Sequence, residues 1–256
     1  GEGGALDTLT ASIADCTFTG NRAAYGGAMG FNKQDVTLEG CVIAGNGSRK
    51  SGGAIRFGGP AVLTLDRCTL HGNRSTRGNA IRTIGCEVVI KNSIVWDANA
   101  FSGYDDSEFS ISYSNLRDAM VGSGNTCVDP CFALPGYWDP NDTPDDASDD
   151  FWVEGDYHLK SRAGRWDPNT AAWVQDDVTS PCIDAGDPNS PVGEEPQPNG
   201  GRINMGVYAG TAEASQSYFG GPASEMVIPG DINGDCRADW RDFEILGLSR
   251  QRSSRE

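Results

Sequence analysis

The chain has 256 residues, 34 of them glycine, and 38% hydrophobic residues, a composition that favours a β-rich fold with many turns over a helical bundle. Its net charge of −16 repels nucleic acid and anionic membranes, so we exclude both as partners, whereas Ca²⁺ and neutral or cationic glycans are compatible with it. No run of about 18 apolar residues is present, which excludes a membrane-spanning helix.

Two short motifs recur in the first 95 residues. CTFTGN, CVIAGN and CTLHGN begin at Cys16, Cys41 and Cys68, and a degenerate fourth copy, SIVWDA, begins at Ser93. The second motif reads GGAL, GGAM, GGAI and GNAI, and begins at residues 3, 26, 52 and 78. Apolar residues alternate with period two inside each segment, and this alternation over a few residues predicts short strands.

Aligning the copies predicts columns of equivalent side chains. A repeat of about 25 residues with short strands cannot bury its apolar face alone, so successive coils must stack, at roughly 4.8 Å spacing. Parallel strands joined by crossovers coil in the right-handed sense. The sequence therefore predicts an all-β, right-handed parallel β-helix over residues 1–120. The apolar columns are Ile13, Leu38, Leu65 and Ile90, and Phe18, Ile43, Leu70 and Val95; the column of small residues is Cys16, Cys41, Cys68 and Ser93.

Asparagines and cysteines occupy fixed places in the repeat. Asn21, Asn46 and Asn73 follow a glycine at the end of a strand, which predicts a structural ladder of turn side chains, with ligand binding as the alternative. The repeat cysteines are expected to form a buried stack. Outside the repeat, Cys127 and Cys131 are close enough in sequence to form a disulfide or to flank a turn.

These motifs resemble those of known β-helix families. F-x-x-N, from Phe18 to Asn21, combined with GGA[IL] resembles the repeats of chlamydial polymorphic outer-membrane proteins and of bacterial pectate-lyase-like proteins. The resemblance covers residues 1 to about 116. It implies the fold but no particular activity, because this scaffold carries lyases, hydrolases, adhesins and tail spikes.

The pattern changes after one more, shorter coil, predicted at residues 105–116. The acidic stretch 139–150 is expected to be an exposed loop, with a Ca²⁺ site as the alternative. The segments GDYHLKSRAG (155–164), SPCIDAGDP (180–188) and GRINMGVYAGTAEAS (201–215) resemble the C-terminal part of choice-of-anchor Q proteins, which are common in planctomycetes. That resemblance implies a surface or secreted protein in which three strands within 121–215 close the β-helix. It also implies structural roles for Cys182, Asp184 and Tyr208.

A calcium motif follows a linker predicted at 216–229. Residues 230–246, GDINGDCRADWRDFEIL, place oxygen ligands at the spacing of an EF-hand loop, followed by an amphipathic helix. The segment 230–256 resembles the first half of a dockerin, which implies Ca²⁺ binding and a cohesin-like partner. A full dockerin has two such repeats, so docking by this incomplete one stays open. The predicted Ca²⁺ ligands are Asp231, Asn233, Asp235, Asp239 and Asp242 through their side chains, and Arg237 through its carbonyl.

Few residues of the coils are candidates for chemistry. His71 and His158, the two histidines, lie far apart in sequence, which argues against a histidine metal centre or a catalytic triad. Arg56 and Arg82 follow the second motif at equivalent positions, so they should project from neighbouring coils. There they would suit the carboxylate of an acidic sugar, with a solvated face as the alternative. A further outward column, of mixed charge, is expected to form a surface ion ladder and comprises Glu39, Asp66 and Lys91.

Three functions fit these observations. The first is a non-catalytic extracellular or cell-surface β-helix with a structural or adhesive role, associated with a polysaccharide or matrix. The second is a polysaccharide lyase or glycoside hydrolase whose groove lies partly in coils that precede this sequence. The third is a subunit of an extracellular fibre that self-associates through the ends of the β-helix, where strand edges are unpaired.

Overall fold

The computed structural model describes residues 3–7 and 12–217, and every regular element in that part of the chain is a β-strand. No helix long and apolar enough to cross a membrane is found there. The coils contain β1 (Leu6–Asp7), β2 (Ser12–Ala14), β3 (Thr17–Thr19), β4 (Arg22–Tyr25), β5 (Met29–Asn32), β6 (Val36–Glu39), β7 (Val42–Ala44), β8 (Gly47–Ser51), β9 (Ile55–Gly58), β10 (Val62–Asp66), β11 (Thr69–His71), β12 (Ile81–Ile84), β13 (Glu87–Lys91), β14 (Ile94–Val95), β15 (Phe101–Ser102), β16 (Glu108–Ser112) and β17 (Asn115–Leu116). The strands that follow are β18 (Phe132–Leu134), β19 (Tyr137–Asp139), β20 (Phe151–Val153), β21 (Asp156–Leu159), β22 (Arg165–Asp167) and β23 (Ala172–Val174).

The coils form a parallel β-solenoid of about four turns, which confirms the predicted fold class. Three five-stranded parallel sheets run along it: a first sheet of β1, β5, β9, β12 and β15, a second of β2, β6, β10, β13 and β16, and a third of β3, β7, β11, β14 and β17. A shorter parallel pair, β4 with β8, lies between the third sheet of one coil and the first sheet of the next along the chain. The shorter coil is present as well, since β16 and β17 extend the second and third sheets.

The predicted apolar columns lie in register. Leu65 pairs with Leu38 on one side and with Ile90 on the other, and all three side chains are buried. Because successive side chains of a strand point to opposite faces, this register places one apolar set from every coil inside the solenoid. The shorter coil adds Ile111 and Leu116 to the same columns. Stacking of equivalent residues therefore supplies the interior core.

The column of small residues is hydrogen-bonded from coil to coil. The backbone N–H of Cys68 donates to Ser93 Oγ at 3.0 Å, and the N–H of Ser93 donates to Ser114 Oγ at 3.2 Å. Cys41 and Cys68 are buried, whereas Cys16 is partly exposed, and all three are free thiols. Complete burial raises the pKa of the Cys68 thiol well above its usual value. This column satisfies backbone donors at the bend between the second and third sheets.

The suggested disulfide between Cys127 and Cys131 is wrong. Cys127 is disulfide-bonded, but Cys131 is a free thiol. The backbone N–H of Cys131 donates to Asp129 Oδ1 at 2.8 Å, and Cys131 has a φ of 50°. The alternative prediction for this pair, that the cysteines flank a turn, therefore fits Cys131.

Residues 129–217 pack against the outer face of the third sheet. Val42, Ala44 and Ile94 point outward from β7 and β14 and join a second hydrophobic cluster with residues of this C-terminal part. The C-terminal members of the cluster include Phe132, Tyr157, Leu159, Cys182, Ile183 and Met205. The third sheet is therefore buried on both faces, which explains why β7 has no polar residue.

Two of the three strands implied by the choice-of-anchor resemblance are absent as strands. Asp156–Leu159 forms β21, but residues 180–188 and 201–215 are buried turns and bends. Asp184 has a φ of 53°, which interrupts an extended chain, and its N–H donates to Asn204 Oδ1 at 2.7 Å. Only two backbone bonds join the segments, from Gly186 N–H to Ile203 O and from Met205 N–H to Cys182 O.

The outward mixed-charge column holds this C-terminal part in place. Lys91 Nζ lies 2.5 Å from Asp187 Oδ2, so it pairs outside its own column. Arg67 forms an ion pair with Glu39 and donates to the carbonyl of Ala209 at 3.2 Å. The predicted surface ladder is therefore a set of contacts between the coils and the chain that covers them.

Candidate functional site

A groove of about 840 Å³ lies over the short pair β4 and β8. One wall is the coil surface, and the other is formed by Trp138 and the nearby loop residues Ala147 and Ser148. The coil side contributes small side chains and hydroxyls, together with three arginines. Those arginines are Arg22, Arg49 and Arg74.

Arg22 and Arg74 stand two coils apart in one column. Arg22 pairs with Gly47 and Gly47 pairs with Arg74, so the intervening position has no side chain. Both guanidinium groups approach the ring of Trp138, with their central carbons 5.1 and 4.5 Å from its centroid. Cation–π contacts of this kind hold a positive charge close to an aromatic surface.

The loop beside Trp138 is fixed by the same two arginines. Arg74 Nη1 pairs with Asp150 Oδ2 at 2.5 Å, and the Asp150 side chain is only 9% exposed. Arg22 donates to the carbonyl of Ser148 at 2.9 Å and to the carbonyl of Asp150. Arg49, by contrast, is exposed on the groove wall and forms no ion pair within the described residues.

Two tryptophans attach the hairpin of β19 and β20 to the coils. Trp138 Nε1 donates to the carbonyl of Gly72 at 2.7 Å. The ring of Trp152 lies against Gly45 and Gly72, where an added Cβ would come within 2.0 and 2.2 Å of ring atoms. Any side chain at these glycines would therefore displace Trp152. Gly45 and Gly72, which precede the ladder residues Asn46 and Asn73, provide a flat surface for the indole in addition to a positive-φ turn.

Arg56 and Arg82 are neighbours, because β9 and β12 place them in direct register. The Arg56 guanidinium lies 5.2 Å from the ring of Tyr25, and that of Arg82 lies 5.7 Å from the ring of Tyr104. Arg82 also donates to Ser102 Oγ at 2.8 Å. The two predicted glycan contacts thus lie together on the outer face of the first sheet, each beside a tyrosine.

The strand β4 connects this row to the groove. Arg22 at its start lies in the groove, and Tyr25 at its end contacts Arg56. Lys50 adds a further charge, with Nζ 4.7 Å from the Tyr25 ring and 3.0 Å from its hydroxyl. We refer to the whole region as the basic–aromatic surface. It comprises Arg22, Tyr25, Arg49, Lys50, Arg56, Arg74, Arg82, Tyr104 and Trp138.

The asparagines form a hydrogen-bonded ladder through the coils. Asn46 Oδ1 accepts from both the N–H and Nδ2 of Asn21 at 3.0 Å, and Asn73 Oδ1 accepts from Asn46 in the same way. Asn46 Nδ2 donates to the carbonyl of Phe18 at 2.8 Å, so the amide is fully used. These hydrogen bonds join each coil to the next, so they contribute to the structure of the solenoid.

The next member of the ladder is Asp97. Asn73 donates to its carboxylate through N–H and Nδ2, both at 2.8 Å. Aligning SIVWDA with the other copies predicts Asp97 level with Gly20 and Ala98 level with Asn21. This register is wrong by one residue, because the turn after β14 is one residue shorter. Desolvation is the main effect on Asp97 and raises its pKa to about 7, against the opposing effect of the bonds from Asn73.

His71 lies between the coils and the C-terminal part, whereas His158 is packed within the C-terminal part. His71 contacts the rings of Phe132, Trp152 and Tyr157, each with centroids 5.9 Å away, and its Nε2 lies 3.2 Å from the carbonyl of Gly136. Burial lowers the pKa of His71. His158 stacks on Tyr208 at 3.5 Å and is almost completely buried. These contacts are those of packed core side chains.

Two further buried carboxylates lie in the C-terminal part. Glu195 Oε1 accepts from the N–H groups of Asn204 and Gly210 at 2.8 and 2.9 Å, and Asp184 Oδ1 accepts from the N–H of Gly200 at 3.0 Å. Desolvation raises the pKa of Glu195 to about 7 and also raises that of Asp184. Because both carboxylates accept hydrogen bonds from backbone N–H groups, they support the conformation of these loops.

The predicted Ca²⁺ ligands, Asp231 to Asp242, lie outside the described residues, as do the dockerin-like segment and nearly all of the linker before it. Across residues 3–7 and 12–217, no group of three or more His, Cys, Asp or Glu side chains is arranged to hold a metal ion. The acidic stretch 139–150 is largely exposed, as predicted. The Ca²⁺ loop therefore stays a prediction.

Three parallel sheets that coil around a stacked core define a parallel β-helix protein. Residues 81–186 match the model of a family described as disaggregatase related, which is of this β-helix type. The matched range runs from β12 through the hairpin that carries Trp138 and Trp152. No curated protein and no solved structure matches the chain. The match agrees with the β-helix fold of the chain.

Proposed function

We propose that this protein is a non-catalytic extracellular β-helix that binds an acidic polysaccharide on its basic–aromatic surface. The observation that carries the proposal is the concentration of positive charge there, in a chain whose net charge is −16. Arg22, Arg49 and Arg74 lie in the groove, and Arg56 and Arg82 continue the surface across the first sheet.

Arginine is well suited to this ligand class. Its planar guanidinium stays charged at all physiological pH values and matches the two oxygens of a carboxylate or sulfate. Equivalent positions on neighbouring coils are separated by roughly 4.8 Å, so Arg56 and Arg82 present charges at a regular interval along the axis. A polymer with regularly spaced acidic groups can therefore contact several coils at once.

The aromatic residues supply the apolar part of such a site. Tyr25, Tyr104 and Trp138 lie beside the charged groups, and sugar rings pack their C–H faces on aromatic rings. Among the described residues that line the groove, the side chains are arginine, alanine, serine, threonine and tryptophan, with one glycine. This set suits binding, which is why we propose a non-catalytic role.

The disulfide of Cys127 supports an extracellular location. Disulfides persist in oxidising environments and are rare in reducing compartments.

Titration with oligogalacturonate by calorimetry tests the proposal. The double variant Arg49→Ala, Arg82→Ala removes two charges from the surface without cutting the contacts of Arg74 to Trp138 and Asp150. We expect its affinity to fall about two- to thirtyfold, since two exposed ion pairs are lost and each contributes about 0.2–1 kcal/mol. Arg162→Ala, which removes an exposed arginine of the C-terminal part, should bind as the wild type does. Equal affinity of all three proteins contradicts the proposal.

The enzyme alternative is tested with the same oligogalacturonate. A lyase releases unsaturated uronate, which is followed by ultraviolet absorbance. We expect no product with or without Ca²⁺. Clear Ca²⁺-dependent product formation would refute the non-catalytic proposal.

We also propose that the predicted loop at 230–246 binds Ca²⁺. The support is its ligand spacing, in which hard oxygens recur at the EF-hand positions. In a calorimetric titration of the full chain with CaCl₂, the variant Asp231→Ala, Asp235→Ala should lose the binding heat. Retained affinity would show that other residues hold the ion.

A further inference from the structure

The hairpin of β19 and β20 has a second, outward face. Trp138 and Trp152 are directly opposite each other and turn toward the coils. Because side chains alternate along a strand, Tyr137 and Phe151 turn outward, where they are 54% and 49% exposed. Leu134, just before the hairpin, is 59% exposed. Large apolar side chains exposed together indicate an interaction site.

This face differs in charge from the groove behind it. Residues 118–159 contain no lysine or arginine, so the charged side chains that the hairpin itself carries are all acidic. Asp139 pairs with Phe151 across the hairpin, and Glu154, the residue after β20, is exposed. The loop 140–149 that joins the strands is exposed and adds Asp142, Asp145, Asp146 and Asp149.

The hairpin holds its outer rings in place before any ligand arrives. Trp152 lies flat on the glycines of two coils, and Trp138 is bonded to the coil backbone at 2.7 Å. The loop end is fixed by the ion pair of Arg74 with Asp150. A ligand that stacks on Tyr137 and Phe151 therefore loses little free energy to ordering of the protein.

The size of the face favours a sugar chain over a protein. A stable protein interface uses roughly 20–30 residues on each side, whereas this face offers two rings and one leucine. Two neighbouring aromatic rings match the dimensions of one or two sugar rings. The acidic surroundings repel uronates and attract ammonium groups.

We propose that the outer face of the β19–β20 hairpin binds a polysaccharide that bears free amino groups. Tyr137 and Phe151 stack on its sugar rings, while Asp139 and Glu154 pair with its ammonium groups. This site is separate from the basic–aromatic surface and takes a ligand of opposite charge, so either proposal can fail without the other.

Affinity electrophoresis and calorimetry of the full chain test this site with three probes. They are a chitosan oligosaccharide, its fully N-acetylated counterpart, and oligogalacturonate. We expect the chitosan oligosaccharide to bind, and the N-acetylated form to bind at least about tenfold more weakly because it has no charge. Oligogalacturonate should be unaffected by changes to this face.

The decisive variant keeps the net charge of the protein. Tyr137→Ala, Phe151→Ala should weaken chitosan binding about tenfold, since two stacking contacts are lost while every carboxylate remains. Trp173→Ala is the matched control, because Trp173 is also exposed, at 41%, but lies on the hairpin of β22 and β23. Unchanged melting temperatures establish that both variants are folded.

Two results overturn the proposal. Equal chitosan affinity of the double variant and the wild type would mean that the polycation is attracted only by the overall negative charge. Self-association in sedimentation velocity that the double variant abolishes, without any chitosan binding, would assign the face to a second copy of this chain.

Discussion

Replacing Asp97 by asparagine should stabilise the protein at neutral pH. Asp97 is 3% exposed and continues a ladder whose preceding members are asparagines. Its burial raises the pKa from 3.8 to about 7, because the charged form loses its hydration. An asparagine carries no charge at any pH, and its Oδ1 can accept both bonds from Asn73, as Asn46 Oδ1 does from Asn21.

The sign of the effect follows from proton binding. Between pH about 4 and 7 the folded protein holds a proton on Asp97 that the unfolded chain has released. The contribution of this group to stability is therefore fully present below pH 4 and is lost as the pH rises through about 7. A pKa difference of about 3 units corresponds to about 4 kcal/mol, which is an upper limit for the cost of ionised Asp97.

Urea unfolding of the wild type and Asp97→Asn, at intervals from pH 4 to pH 8, measures this cost. We expect nearly equal free energies of unfolding at pH 4, and a difference in favour of the variant that grows to about 2–4 kcal/mol at pH 8. The raised pKa values of Glu195 and Asp184 affect both proteins alike and cancel. The exposed Asp106→Asn serves as a control and should show no such growth. A difference that stays the same from pH 4 to pH 8 would refute the reasoning.

Two further predictions concern the coil surface and the cysteines. Gly72→Ala should lower the free energy of unfolding by about 2 kcal/mol or more, because its φ of 68° strains alanine and the added Cβ meets Trp152 at 2.2 Å. Gly58→Ala, where the nearest atom is 3.6 Å away, should cost far less in the same urea titration. In denaturant without reductant, iodoacetamide should alkylate Cys131 but leave Cys127 unmodified until a reductant is added, as read by peptide mass spectrometry. Modification of Cys127 before reduction would contradict the observed bonding.

The solenoid interior was predictable because its pattern is local. The strands of the second sheet alternate apolar and polar residues, and each column repeats at nearly constant spacing, so the sequence alone aligns Leu38, Leu65 and Ile90. Asp97 is a position that the repeat pattern does not predict correctly. A turn one residue shorter moves a side chain into the ladder, and neither composition nor period reveals which residue was omitted.

The basic–aromatic surface was predictable only in part. Arg56 and Arg82 were identified because both follow a repeated motif and so share a position. Arg22 and Trp138 are separated by more than 100 residues in sequence, and their contact depends on how the C-terminal part folds back. One available signal was the glycine before each ladder asparagine. Repeated glycine on the outer side of a strand end leaves a flat strip that a large side chain can cover.

The net charge of the chain does not predict that its positive and negative side chains are segregated on the surface. The formal charge of −16 suggested neutral or cationic glycans as ligands and gave no reason to expect a basic groove. In the folded chain, the hairpin of β19 and β20 separates two surfaces of opposite sign. Arginines from the coils face its inner side at Trp138, while its outer side, with Tyr137 and Phe151, has only acidic neighbours within residues 118–159. Electrostatic attraction acts over about 10 Å at moderate salt, so each surface selects its ligand by its own charge and not by that of the whole molecule.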